Sequence, residues 1–257
     1  RKDIEKIVAA LVIGASFVAA IGILQFLTGN EIAPMLKFPG LGAINDFTFI
    51  SERNGLPRVA GTAYHPIEYA TILCAIWPFA IRHAVMNWSK KARIASLIPA
   101  ILITAALPTA LSRTTVVAFG AVVITMWFTW SSRRRFRFAM AVALGIAGLY
   151  VFAPKVPRVL VELFTKADQD VSISTRTEDY SKANELISSH LLFGRGFKTF
   201  DPARYFYLDN QFLLSLIETG IIGTACLLGL IITAITLGRN VKHTAKDPFV
   251  RELGQCC

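Results

Sequence analysis

The stretch FLLSLIETGIIGTACLLGLIITAITL, residues 212–237, decides the fold. Its only charge is Glu218. About 18 or more apolar residues in a row are enough to cross a hydrocarbon core about 30 Å thick. Working outward, five further runs have this character: 7–27, 67–86, 94–111, 114–130 and 138–153, the last two being short. The chain is 54% hydrophobic with mean hydropathy +0.51, which sets an ordinary soluble domain aside. The expected fold class is all-α: a polytopic helical membrane protein of about six spans with a large extracytoplasmic loop subdomain. The expected layout is a transmembrane bundle at 1–153 with an outer loop at 28–66, a loop subdomain at 154–209, a last span at 210–237 and a cytoplasmic tail at 238–257.

The formal charge of +10 follows this layout. The short segments 1–6, 82–93, 133–137 and 239–251 put 15 Lys/Arg on one side against four acids, Asp3, Glu5, Asp247 and Glu252. The other side holds 12 Lys/Arg against 12 acids. The positive-inside rule makes the dense side cytoplasmic. The run Arg133-Arg134-Arg135 is therefore an anchor near anionic lipid rather than a nucleic-acid patch. Cys74, Cys226, Cys256 and Cys257 form no disulfide framework and no Cys/His cluster, so neither a metal nor a cofactor is expected. The chain does not open on Met and has no signal-peptide pattern, and it is expected to be an excerpt from a longer polytopic protein.

The outer loop 28–66 is rich in Gly and Pro without sustained periodicity, and is expected to be irregular or re-entrant. In the second loop, Thr175-Arg176-Thr177-Glu178 has capping-box spacing, with Thr175 as N-cap and Glu178 at N3. Tyr180, Ala183, Leu186 and Ile187 then recur at helical spacing.

Four arginines map to the outward side: Arg58, Arg113, Arg176 and Arg195. Arginine presents a planar, always-charged fork that binds phosphate oxygens in pairs. Convergent arginines at headgroup depth would bind a diphosphate and stabilise charge building on it as a leaving group. Each is otherwise a snorkelling residue or the partner of a nearby acid. Arg113 stands in a tight turn between two runs, where a charge usually faces a polar cavity. His65, in Gly61-Thr62-Ala63-Tyr64-His65-Pro66, has the pKa to take a proton from a hydroxyl, or it caps the following helix. Asp209-Asn210 precede the last span, and either is a good N-cap. Asp209 is also a candidate general base. Glu218, inside a span, needs a partner or a proton. His83, His190 and His243 carry weaker claims: the first and last map to the cytoplasmic side, and His190 ends the amphipathic helix.

Several segments together resemble one family. They are Arg176 followed by a helix, His190-Leu191-Leu192-Phe193-Gly194-Arg195-Gly196-Phe197, Asp209-Asn210-Gln211-Phe212-Leu213, and Leu216 to Gly223. Arg58 with Gly61-Thr62 and His65-Pro66, and Ser112-Arg113 opening a span, lie upstream in the matching order. The chain resembles the O-antigen ligase/polymerase membrane glycosyltransferases. The resemblance implies an enzyme of the bacterial inner membrane with its site facing the periplasm or cell exterior. Such an enzyme moves glycan from an undecaprenyl-diphosphate carrier to a glycan or lipid acceptor hydroxyl, without a metal. Arg58, Arg113 and Arg176 become the diphosphate-binding candidates, joined by Arg195. Where the ligases place a functional His, this chain has Asp209, which favours a polymerase over a lipid-A ligase. Two readings from other classes stand beside it: a transporter or flippase for an anionic lipid-linked substrate, and a non-catalytic partner in a polysaccharide assembly complex. A transporter is expected to spread ionisable residues through its spans, and here Glu218 alone is deeply placed.

Overall fold

The computed structural model describes residues 2–32, 35, 50–86, 90–165, 171–206, 208 and 210–256, with backbone alone at 2, 85–86, 90–94, 129, 171–179, 248 and 255. It is 77% helical and all-α in class. The chain divides into a unit of Arg1–Thr165 and a unit of Lys166–Gln255. Each of the six apolar runs lies for the most part on a helix. Among the described residues three helices are long and apolar enough to cross a membrane: Asp3–Thr28, Ser132–Phe152 and Gln211–Thr244. Ala95–Ala110 and Arg113–Phe128 are apolar but shorter.

In the first unit, α1 (Lys2–Thr28), α2 (Pro66–Met86), α3 (Lys90–Ala106) and α4 (Arg113–Thr129) pack together. α1 turns one stripe inward, Val8, Val12, Ala15 and Ala19, at the spacing of one helical face. α2 supplies the largest buried side chains, Trp77 and Tyr69. Trp77 donates to Thr104 Oγ1 at 2.8 Å and meets Phe119 and Phe138 edge-on. That bond leaves the indole N–H satisfied in an apolar core. α5 (Ser132–Phe152) has no buried residue. A helix this apolar and this exposed fits a hydrocarbon surround and not water.

α3 ends at Ala106, short of the expected 111, because Pro108 has no N–H to continue the ladder. Leu107–Ala110 instead forms one 3-10 turn, closed by Leu111 in the left-handed region at φ 42°. Arg113 then opens α4.

One expectation for this unit needs correction. Part of the outer loop is a hairpin, β1 (Ser51–Arg53) antiparallel to β2 (Leu56–Arg58), with Ser51 opposite Arg58. Asn54 and Gly55 both take positive φ, the two-residue turn that Asn-Gly favours. Residues 36–49 of that loop lie outside the described residues. After 153, α6 (Lys155–Thr165) falls in the first unit. Its Val156 and Val159 bury against Leu111, with Phe26, Leu56 and Ala153 around them.

The second unit contains α7 (Val171–Ser189), α8 (Gln211–Thr244) and α9 (Pro248–Cys256). α7 starts at Val171, so Thr175 is interior to the helix and not its N-cap. Ala183 of α7, Phe200 of the loop and Ile217 of α8 form the buried core, with Leu186, Ile187 and Leu213 against it.

The expected last span is one helix only in outline. α8 breaks at Gly220, whose φ 65° and ψ −166° are not helical. The freed carbonyls of Ile217 and Glu218 accept from Arg195 N and Gly196 N, each at 2.9 Å. The amides of Ile221 and Ile222 donate to Leu191 O and Leu192 O at 2.9 and 3.3 Å. The loop 191–196 thus replaces the helix ladder across the break. Non-helical backbone in a membrane helix is tolerated where protein re-satisfies it in this way.

The approach leaves no room for side chains. A Cβ on Gly194 would lie 2.4 Å from the Glu218 backbone, and one on Gly220 would lie 2.3 Å from Leu192 O. Gly194→Ala is therefore expected to destabilise the chain by at least about 2 kcal/mol in detergent unfolding, from backbone overlap plus a disfavoured φ. Gly229 on the same helix has nothing within 4 Å of an added Cβ, so Gly229→Ala should leave the unfolding midpoint unchanged or slightly higher.

Candidate active site

The first unit gathers cations around the reversal between α3 and α4. Arg58 ends β2, and its Nε donates to Ala110 O at 3.2 Å. Arg53 ends β1, and its Nη1 donates to Leu111 O at 3.4 Å. Arg113 opens α4, and its Nε donates to Leu163 O of α6. All three side chains are partly buried. Burial first, and the neighbouring Arg53 charge second, lower the pKa of Arg58, yet a guanidinium stays protonated at any ordinary pH. The hairpin tip is fixed to α6, since Asn54 Nδ2 donates to Glu162 Oε2 at 2.9 Å.

The segment between Arg58 and His65 is held from below by α1. Gln25 is only 2% exposed. Its Nε2 donates to Gly61 O at 2.9 Å, and its Oε1 accepts from Gly61 N at 2.8 Å. Both ends of the side-chain amide are thus used on one residue. Val59 beside it is fully buried and donates to Thr109 O.

His65 sits at the start of α2, where Ile67 N donates to its Nδ1 at 3.1 Å. A neutral ring accepting at Nδ1 carries its proton on Nε2.

In the second unit, Arg195 lies in the loop that spans the α8 break, with its guanidinium carbon 5.2 Å from the centre of the Tyr205 ring. Tyr205 in turn stacks on Phe200. Glu218 is 8% exposed and its Oε1 accepts from Phe200 N at 3.3 Å, so its described partner is a backbone amide. Asn210 takes the α8 cap, accepting from Phe212 N at 3.0 Å and Leu213 N at 3.4 Å. Asp209 lies outside the described residues. Arg176 is helical within α7, and its side chain lies outside the described residues. Among the described residues no group of His, Cys, Asp and Glu is suited to hold a metal ion.

The structure therefore brings Arg58 and Arg113 to one corner of the first unit, and Arg195 and Glu218 to the α8 break of the second. Two participants escaped the sequence reading. Arg53 was signalled by Asn54-Gly55, because a hairpin there puts Arg53 beside Arg58. Gln25 carried no signal, since one amide in an apolar run does not show what it faces.

Comparison with known families supplies the remaining fact. The O-antigen ligase family model matches residues 98–228, half of the chain. The chain belongs to the O-antigen ligase family. No curated protein and no solved structure matches it. The family match takes in Arg113, Arg176, Arg195, Asp209 and Glu218, while Arg53, Arg58 and His65 precede it. Membership makes this a membrane protein of O-antigen-ligase-like glycan transfer.

The Gln25 clamp gives a direct test of how the corner is held in this ligase-family protein. Gln25→Leu leaves the Gly61 N–H and C=O without their partner, which is expected to lower unfolding free energy by about 2 kcal/mol. Gln25→Glu keeps the acceptor and loses the donor, so its loss should be intermediate. Denaturant titration in detergent micelles reads both.

Proposed function

We propose that this chain transfers glycan from an undecaprenyl-diphosphate-linked donor to an acceptor hydroxyl at the membrane face opposite its dense cation segments. We take that face to be the periplasmic side of the bacterial inner membrane. The observation that carries this reading is the cluster of Arg53, Arg58 and Arg113 around the reversal at 110–113. Fixed, partly desolvated cations suit an anionic headgroup whose negative charge grows as it leaves.

Arg58 and Arg113 of the first unit are assigned to the diphosphate; for Arg176 and Arg195 that assignment rests on the family resemblance alone. The acceptor oxygen attacks the anomeric carbon, and the bond from that carbon to the diphosphate oxygen breaks with its electron pair going to the diphosphate. The hydroxyl proton passes to a base. Three residues were candidates. Glu218 is engaged with Phe200 N, and His65 accepts from Ile67 N. Asn210 meets the capping need of α8, so capping does not require Asp209. We therefore assign the base to Asp209. An Asp at a position where the ligases of this family carry His favours repeated transfer to glycan, that is, polymerisation.

Arg113→Ala and Arg176→Ala are each expected to lower turnover at least about 100-fold while the protein still inserts. A transfer assay with defined lipid-diphosphate glycans and the full-length protein measures this, and undiminished product in both variants sinks the reading. Asp209→Asn should be similarly inactive. His65→Asn keeps an oxygen to accept the Ile67 N–H but no basic nitrogen, and should stay within about tenfold of wild type. Inactive His65→Asn beside active Asp209→Asn would transfer the base to His65.

A further inference from the structure

We infer that residues 191–197 form a membrane-inserted segment, with Leu191, Leu192, Phe193 and Phe197 standing in the acyl layer of the bilayer beside the α8 break. The inference concerns the second unit alone and goes beyond the transfer reaction proposed above.

Four large apolar side chains crowd this short segment and none of them is buried. Phe193 is 75% exposed and Phe197 79%, and Leu191 and Leu192 are exposed with them. Ile221 and Ile222 of α8 are exposed as well. They adjoin the segment directly, because their amides donate to Leu191 O and Leu192 O. The apolar patch therefore continues the flank of α8, a helix long and apolar enough to cross a membrane. Exposed apolar patches rimmed by polar residues mark protein or membrane contacts. This one is rimmed at both ends: Ser188, Ser189 and His190 precede it, Lys198, Asp201 and Arg204 follow it, and all six are exposed. The occupant that fits is the one α8 already has, the hydrocarbon of the bilayer. Leu and Phe side chains at such a boundary bury into the acyl region while polar neighbours stay at the headgroups.

The backbone of the segment is prepared for that surround. Gly194 N donates to His190 O at 2.9 Å, Arg195 N and Gly196 N donate to Ile217 O and Glu218 O, and Leu191 O and Leu192 O accept from α8. Irregular backbone at membrane depth requires partners of this kind within the protein, whereas a loop in water finds them in solvent. The length of α8 gives the depth. Its first charge after Glu218 is Arg239. About 20 helical residues cross the hydrocarbon core, and counting back from Gly238 that number reaches Thr219, beside the break at Gly220. The segment bonded to the break thus lies at the hydrocarbon edge remote from Arg239.

Spin labelling of the full chain in lipid nanodiscs tests this. Cys74, Cys226, Cys256 and Cys257 are replaced by Ala, and single labels are introduced by Phe193→Cys, Phe197→Cys, Leu230→Cys and Ala203→Cys. Leu230 is an exposed position ten residues beyond the break on α8, and Ala203 is an exposed position in the polar stretch after the segment. Labels at 193 and 197 are expected to collide readily with oxygen and poorly with a water-soluble nickel chelate, as at 230 but at shallower depth. The label at 203 should show the reverse. Nickel access at 193 or 197 as high as at 203 overturns the inference. Protection from both reagents also overturns it, since that marks a protein contact, and spin–spin broadening would identify the contact as a second copy. Phe193→Trp in the chain with its native cysteines keeps the test open if the cysteine-free chain fails to fold. The emission it adds over wild type should be quenched by lipids brominated on the upper acyl chain, and an absence of added quenching overturns the inference.

Discussion

A backbone carbonyl released from a helix ladder inside an apolar surround must find a protein donor, and both candidate sites in this chain are answers to that demand. At the α3–α4 reversal the carbonyls of Ala110 and Leu111 receive the Arg58 and Arg53 guanidinium groups. At the α8 break the carbonyls of Ile217 and Glu218 receive the amides of Arg195 and Gly196. In each case the segment that supplies the donors is an irregular one, the hairpin or the loop 191–196. Those segments carry the arginines. At the reversal, structural repair and placement of charge are therefore one event, and removing the Arg53 or the Arg58 guanidinium disturbs both.

The two sites solve the problem with different donors, which separates their chemistry. Backbone amides bridge the α8 break, so the Arg195 side chain is not used there and lies over Tyr205. Side chains bridge the α3–α4 reversal, so Arg53 and Arg58 have fixed positions before any ligand arrives. Fixed donors lose little conformational freedom on binding, and donors aimed in advance stabilise developing charge without reorganising. Fixed positions of this kind are what the headgroup role proposed for the first unit requires. Gln25 adds to that fixity from the opposite side, because its clamp on Gly61 fixes the chain three residues beyond Arg58.

Hydropathy alone disclosed the helices, because six apolar runs in this chain have few other uses. Their ends were less legible. Pro108 sits within the third run and stops α3 for want of an N–H, while apolar residues continue past it. The hairpin escaped because its strands have three residues each, too few for an alternating pattern to stand out from its Gly- and Pro-rich setting. Asn54-Gly55 was the available signal. Thr175 to Glu178 illustrates the opposite error: a capping-box spacing occurs inside α7, where the backbone is already helical. The arginines were legible as a set by their side of the membrane. Their grouping at 110–113 was not, since it depends on a register and a 3-10 turn.

Glu218 shows why an acid inside a span need not be a catalyst. Its carbonyl accepts from Gly196 N, and its carboxylate accepts from Phe200 N. One residue therefore holds both ends of a short loop against the broken helix. Gly220 breaks the ladder just beyond it, and Gly194 admits the loop to backbone contact. A buried carboxyl at this depth needs a partner, and the loop supplies the Phe200 amide. The demand that places Glu218 is the same one that orders Arg195. The acid and the glycines of this region thus share one structural role, the seating of the loop against α8.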